Sequence, residues 1–162
     1  MFNDFEIRSM IKSIKEIIEK ENYINFPSFR QTGRLDLKSK DYNFILDLNR
    51  KGHKRPKCTF QLRNKRNKEK PIVRVDIIGK SYLNPKGSFK WAGKEISCPH
   101  LHRADFPNYG TRVAVPLLEK NDNFQLDKTD LNNLGMCLRK TLKFLKVKNY
   151  DNYSIREQNN LF

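Results

Sequence analysis

The sequence is short and strongly basic: its 162 residues carry 33 lysines and arginines against 18 aspartates and glutamates, which gives a formal net charge of +15. Its apolar runs are far shorter than the roughly 20 residues needed to span a bilayer, and its first residues lack the basic and apolar regions of a signal peptide. Three cysteines without CxxC spacing are not the pattern of a disulfide framework. We therefore expect one cytoplasmic domain over residues 1–162, with no membrane partner.

The first predicted element is an amphipathic helix over residues 4–22. Asn3 or Asp4 can cap its start. Charged residues cover one side of this segment, which is typical of a solvated helix face. The other side is an apolar stripe at spacings of three and four, formed by Ile7, Met10, Ile11, Ile14, Ile17 and Ile18.

Residues 34–117 have an apolar period of two, which predicts half-buried antiparallel strands. The strand predicted from Pro71 to Gly79 is apolar on both faces apart from Arg74 and Asp76, and this favours a central position in the sheet. Three earlier strands are indicated by alternating apolar sets: Leu35 and Leu37; Tyr42, Phe44, Leu46 and Leu48; Cys58, Phe60 and Leu62.

A second amphipathic helix is predicted over residues 128–146, with Thr129 as its cap, followed by a polar tail over residues 150–162. The predicted fold class is therefore α+β: a twisted antiparallel sheet of about five or six strands, flanked by an N-terminal and a C-terminal helix.

Basic residues concentrate around one predicted hairpin. Between positions 50 and 70 there are ten of them and one acidic residue, Glu69. Such a patch favours the phosphate backbone of a nucleic acid, RNA above all, although lysine-rich loops can also serve solubility alone. The predicted nucleic-acid-binding residues are Arg50, Lys51, Lys54, Arg55, Lys57, Arg63, Lys65, Arg66, Lys68 and Lys70.

The segment Cys98-Pro99-His100-Leu101-His102-Arg103 holds two of the three histidines. In an extended strand, His100 and His102 lie side by side on one face. Two imidazoles can act as the base and the acid of metal-independent RNA cleavage, with no cofactor. The other predicted members of this site are Arg103 and Arg74 as phosphate clamps, and Tyr82 and Asn84 as contacts to a base or a phosphate oxygen.

Three other interpretations of this segment remain open at the sequence level. Cys98 could act as a nucleophile, or both histidines could form hydrogen bonds within the fold and do no chemistry. A zinc site would combine three ligands from this segment with a fourth from elsewhere: Cys98, His100 and His102 with His53, Cys58 or Asp76.

Several short motifs occur in a fixed order along the chain. They are Phe44-Ile45-Leu46-Asp47-Leu48, Val73-Arg74-Val75-Asp76, Asn84-Pro85-Lys86-Gly87, Cys98-Pro99-His100-Leu101-His102 and Ala114-Val115-Pro116-Leu117. This succession resembles an uncharacterised family of small bacterial proteins, a domain of unknown function. The resemblance implies a histidine where this chain has Tyr82 and a tryptophan where it has Val113.

By analogy of composition and architecture, a histidine-bearing strand on a small basic domain is similar to ribonuclease toxins. We therefore expect an RNA-binding, toxin-like or abortive-infection endoribonuclease, for which a cognate antitoxin is a candidate partner. The rival expectation is a non-catalytic inhibitor from a phage or mobile element that blocks a bacterial defence nuclease, as an anti-CRISPR protein does. A plain nucleic-acid-binding regulator has no helix-turn-helix or aromatic ribonucleoprotein motif to support it.

Overall fold

The computed structural model describes residues 1–52, 55–120 and 124–157. It contains two α-helices, α1 (Asp4–Lys12) and α2 (Leu134–Phe144). The strands, in chain order, are β1 (Glu16–Ile17), β2 (Tyr23–Phe26), β3 (Thr32–Lys38), β4 (Asn43–Asn49), β5 (Cys58–Asn64), β6 (Asn67–Ile78), β7 (Tyr82–Leu83), β8 (Glu95–Ile96), β9 (His100–Arg103), β10 (Val115–Pro116) and β11 (Ser154–Glu157).

Seven strands form the main sheet, in the order β1-β3-β4-β5-β6-β9-β10, and every neighbouring pair is antiparallel. Two helices flank a large antiparallel sheet, so the predicted α+β class is confirmed. The sheet has seven strands because the short strands β1 and β10 extend its two edges. No helix in the described ranges is long and apolar enough to cross a bilayer.

One face of the sheet forms the hydrophobic core. Leu35, Leu46, Leu62 and Val73 lie opposite one another on four adjacent strands, and each is at most 3% exposed. Helices α1 and α2 pack on this face and contribute Met10, Ile11, Cys137, Leu138 and Leu142 to the same core. Because side chains alternate along a strand, the opposite face of β3 to β6 must carry the polar residues.

The predicted helix over residues 4–22 is wrong beyond Lys12. Ser13 ends α1 in an extended conformation, and its hydroxyl donates a hydrogen bond to the carbonyl of Met10 (2.7 Å). The next residues pair with other segments, since Lys15 bridges to Val147 and β1 pairs with β3. Long-range backbone pairing therefore outweighs the local helical pattern.

The second predicted helix, over residues 128–146, is divided at Asn133. Residues Lys128–Asn132 form a 3₁₀ helix that Asp127 caps, so Thr129 is not the cap. Asn133 then caps α2 by accepting a hydrogen bond from the backbone N–H of Met136. In the predicted tail, β11 pairs in parallel with β2, and residues 158–162 lie outside the described ranges.

Candidate functional site

The polar face of the main sheet collects the chemically active side chains in two rows. The first row runs across the strands from Asn49 through Thr59 and Asp76 to His100. The second row, offset by two residues, contains Asp47, Gln61, Arg74 and His102. The antiparallel register of β6 and β9 thus sets Asp76 beside His100 and Arg74 beside His102.

Asp76, His100 and His102 form one compact cluster. One potential ligand atom of each residue lies within 4.8 Å of those of the other two. Asp76 Oδ2 is 2.9 Å from Nε2 of His100 and 3.6 Å from Nε2 of His102. The imidazole rings are nearly perpendicular, with centroids 5.0 Å apart. Both histidines therefore turn the same ring nitrogen toward one carboxylate oxygen.

The remaining polar atoms of the cluster are held by neighbouring groups. Asp76 Oδ1 accepts hydrogen bonds from the Thr59 hydroxyl and from Nε of Arg74, both at 2.9 Å. His102 Nδ1 lies 2.9 Å from the carbonyl oxygen of Thr111, and His100 Nδ1 lies 3.8 Å from Cys98 Sγ. These contacts fix the orientation of the carboxylate and of both rings.

The cluster is buried, with exposures of 5% for Asp76, 1% for His100 and 4% for His102. Burial opposes ionisation of Asp76, but its contacts with His100, His102 and Arg74 outweigh this effect and lower the pKa of the carboxyl well below its usual range. Burial likewise disfavours a charged His100, but its bonds to Asp76 and Cys98 raise the pKa of His100 to about 9. At neutral pH the cluster thus contains an Asp–His ion pair.

Two loops cover the histidines. Tyr82, at the start of the β7–β8 ribbon, places its ring against His102 with centroids 4.8 Å apart. Asn84 is 2% exposed and joins this ribbon to the segment before β10, since it donates to the carbonyl of Ala114 (2.9 Å) and accepts from the N–H of Ala114 (2.7 Å). The polar atoms of Asn84 are thus used within the fold.

An open groove of about 570 Å³ adjoins the cluster on the same polar face. Thr59 and Arg74 belong to both, because they line the groove and also bind Asp76. The Arg74 side chain is 44% exposed. The lining residues are Thr32, Gly33, Arg34, Asp47, Leu48, Asn49, Lys57, Thr59, Gln61 and Arg74.

The structure brings together part of the predicted catalytic set. His100, His102, Arg74 and Tyr82 lie at one place, but Arg103 does not. Arg103 follows His102 in the strand and therefore points to the opposite face of the sheet. There it forms a bidentate ion pair with Asp105, at 2.8 Å for both contacts. Arg103 therefore does not lie beside the histidines, and its role as a phosphate clamp stays a prediction.

The predicted nucleic-acid-binding residues divide by exposure. Arg63 is half-buried in a bidentate ion pair with Asp47 (2.6 and 3.0 Å), and Lys65 contacts Asp36 (3.2 Å). Arg50 and Lys57 are also half-buried, and Lys54 lies outside the described residues. The exposed members are Lys51, Arg55, Arg66, Lys68 and Lys70.

Asp76 is the central residue of the cluster, but the sequence pattern indicated it only as a possible fourth ligand of zinc. One signal could have identified it: a carboxylate in a strand that is otherwise apolar on both faces requires buried partners. The roles of Thr59 and Thr111 had no such signal, because they depend on the register of β5 with β6 and on the loop after β9.

Comparisons with curated proteins and with solved structures yield no match to this chain. A family model described as "Family of unknown function (DUF6978)" matches residues 2–147, which include the cluster and the groove. The chain belongs to this family of unknown function.

Proposed function

We propose that the chain binds nucleic acid, RNA in the first place, along the polar face of β3 to β6. The observation that carries the proposal is a basic groove on this face with exposed basic segments at both of its ends. Its lining contains three basic side chains, Arg34, Lys57 and Arg74, and one acidic side chain, Asp47. Phosphate groups are the ligands that such a lining favours.

The carboxylates of this face already have cationic partners. Asp47 is bound by Arg63, and Asp36 contacts both Arg34 (3.3 Å) and Lys65 (3.2 Å). Their negative charge is thus largely neutralised, so a phosphate backbone entering the groove would meet a net positive field.

Exposed basic residues continue the positive surface at both ends of the groove. Lys51 and Arg55 lie in the connection between β4 and β5, on one side. The β5–β6 hairpin, on the other side, presents Arg66, Lys68 and Lys70. A backbone that follows β5 could therefore contact both basic segments.

The groove lining favours binding to the backbone over reading of the bases. The described residues that line it include no aromatic ring on which a base could stack. Its polar side chains, Thr32, Asn49 and Gln61, can donate to phosphate and sugar oxygens. We therefore expect binding with little sequence preference.

RNA cleavage by His100 and His102 is not part of this proposal. A general acid or base must come within hydrogen-bonding distance of the reacting atom, and both histidines are at most 4% exposed beneath Tyr82 and neighbouring residues. Incubation of labelled RNA with the protein in EDTA tests cleavage directly. RNA fragments that form with the unaltered chain but not with His102→Gln would support the predicted metal-independent endoribonuclease activity.

The test of binding is a charge reversal at the hairpin. Electrophoretic mobility shifts with single- and double-stranded RNA and DNA of one length would be measured for the protein and for Arg66→Glu/Lys68→Glu/Lys70→Glu. All three side chains are exposed, so the fold should persist. We expect affinity to fall by at least about 100-fold at low salt, because three attractive contacts become repulsive.

A matched control carries the same change of charge elsewhere. Lys12→Glu/Lys128→Glu/Lys143→Glu alters three exposed lysines in or beside the helices that pack on the other face of the sheet. This variant should bind RNA within a few-fold of the unmodified chain. Equal losses in the two triple variants would show that binding follows net charge alone and would overturn the assignment to the polar face.

A further inference from the structure

We propose that Asp76, His100 and His102 bind one divalent transition-metal ion, for which zinc is the natural probe. The ligand atoms would be Oδ2 of Asp76 and Nε2 of each histidine. Metal binding is a property beyond nucleic-acid binding, and it would stand if the polar face proved to bind no RNA.

The spacing of the three atoms suits a shared ion. Zinc lies about 2 Å from nitrogen and oxygen ligands, so tetrahedrally arranged ligand atoms are about 3.3 Å apart. Asp76 Oδ2 is 2.9 Å from one Nε2 and 3.6 Å from the other, distances that bracket this value. All three atoms lie within 4.8 Å of one another, so rotation of the two imidazole rings toward each other would complete the site.

The proton on His102 supports a ligand role for this ring. Its Nδ1 faces the carbonyl oxygen of Thr111, which can only accept a hydrogen bond, so Nδ1 carries a proton. In a neutral imidazole, Nε2 then holds a lone pair, and that lone pair faces a carboxylate oxygen of Asp76 at 3.6 Å. Two buried acceptors in this arrangement need a cation or a proton between them.

His100 repeats the pattern through Cys98. The Cys98 thiol lies 3.5 Å from the carbonyl oxygen of Lys80, to which it can only donate. Its sulfur is then an acceptor for Nδ1–H of His100, so Nε2 is the ring atom that faces Asp76. Without an ion, this nitrogen shares a proton with the carboxylate, and a bound metal ion would displace that proton. A proton on one ring satisfies one of the two Asp76–histidine contacts, whereas a divalent ion can bind all three ligand atoms.

The carboxylate is oriented for binding through a single oxygen. The Thr59 hydroxyl and Arg74 Nε both donate to Oδ1 at 2.9 Å, which leaves Oδ2 to face the imidazoles. Such outer hydrogen bonds are typical of metal sites, where they fix the orientation of the ligands. Two imidazoles and one carboxylate suit zinc and its neighbours in the first transition row. Three protein ligands leave a fourth position for water.

The first experiment uses the full chain after treatment with EDTA. Calorimetric titration with zinc chloride should give one bound ion per chain, and zinc should raise the melting temperature because it binds the folded state alone. Asp76→Asn and His102→Gln should weaken binding by more than the roughly 10–100-fold typical of losing an outer partner. The control Asp47→Asn alters another carboxylate on the same face that accepts from an arginine, and it should bind zinc normally.

A spectroscopic measurement on the unaltered chain keeps the proposal testable if these variants do not fold. Long-range ¹H–¹⁵N spectra of the imidazoles should show zinc-dependent shifts at Nε2 of both histidines, while Nδ1 of His102 stays protonated. The absence of stoichiometric zinc binding would overturn the proposal. So would unchanged ring signals, or folded Asp76→Asn with the affinity of the unaltered chain.

Discussion

At the scale of single residues, two buried groups show how this fold holds charge away from water. Asp76 lies among two histidines, Arg74 and Thr59 on the polar face of the sheet. On the core face, Lys15 has no exposed surface, yet its ammonium group donates to three backbone carbonyls. A buried charge persists only where such partners replace its hydration.

Lys15 provides a prediction about pH. Its Nζ joins α1 to the end of α2 through the carbonyls of Ile11 (3.3 Å), Ser13 (2.9 Å) and Leu145 (2.9 Å). Burial, assisted by the charge of Lys146, lowers the pKa of Lys15 from 10.5 to about 8. Between these pH values the unfolded chain binds more protons at this site than the folded chain does, so the free energy of unfolding rises with pH.

We therefore expect the free energy of unfolding to rise from pH 8 to 10.5, relative to Lys15→Met, by up to roughly 3 kcal/mol. Urea titrations of both proteins across this range give the measurement, and the exposed Lys143→Met is the control that should follow the unaltered chain. Parallel curves for Lys15→Met and the unaltered chain would contradict the prediction.

At the scale of elements, the strands were easier to predict than the helices. Leu35, Leu46 and Leu62 alternate with polar residues because one sheet face is buried, and this local pattern placed β3, β4 and β5 correctly. The end of α1 depends instead on the pairing of Lys15 with Val147, more than a hundred residues away along the chain. No local pattern encodes such a contact.

In the candidate site, too, local sequence patterns predicted some residues, whereas long-range pairing placed the others. Alternation within β9 correctly placed His100 and His102 together, and the same rule places Arg103 on the other face. The approach of Asp76 to both histidines required the register of β6 with β9, which the sequence alone does not specify. Thr111 joins them only through the fold of the loop after β9.

Asn84 shows how an element covers the site, and it gives the next prediction. In Asn84→Ala, the buried N–H and C=O of Ala114 lose their partner, and each unsatisfied group costs about 1–3 kcal/mol. We expect a loss of roughly 2–4 kcal/mol in the free energy of unfolding and faster amide hydrogen exchange at Ala114. The exposed Asn25→Ala should change stability by less than about 0.5 kcal/mol. Slow exchange at Ala114 in the variant would show that another group holds the loop.

At the scale of the whole molecule, positive charge covers both sides of the sheet. A second cleft, of about 590 Å³, lies on the helix side. Arg103 and Lys140 in this cleft are paired with Asp105 and Asp130. Its lining is Ile11, Lys12, Arg103, Phe124, Gln125, Lys140, Lys143, Phe144 and Lys146. Net charge alone therefore does not identify the binding face. The salt dependence of binding, measured on variants that lose charge on one side, gives the number of phosphate contacts on that side.

Salt dependence provides the last prediction. The logarithm of the affinity falls linearly with the logarithm of the salt concentration. Each phosphate contact with single-stranded nucleic acid adds about 0.7 to the magnitude of this slope, because a condensed counterion is released. Neutralising three exposed residues in Arg66→Gln/Lys68→Gln/Lys70→Gln should therefore reduce this slope by about 2 if all three contact the backbone. Fluorescence anisotropy with labelled RNA over a series of salt concentrations gives the slope. An unchanged slope here, with a reduced slope in Lys12→Gln/Lys128→Gln/Lys143→Gln, would place the phosphate contacts on the helix side, because only contacts that form can release counterions.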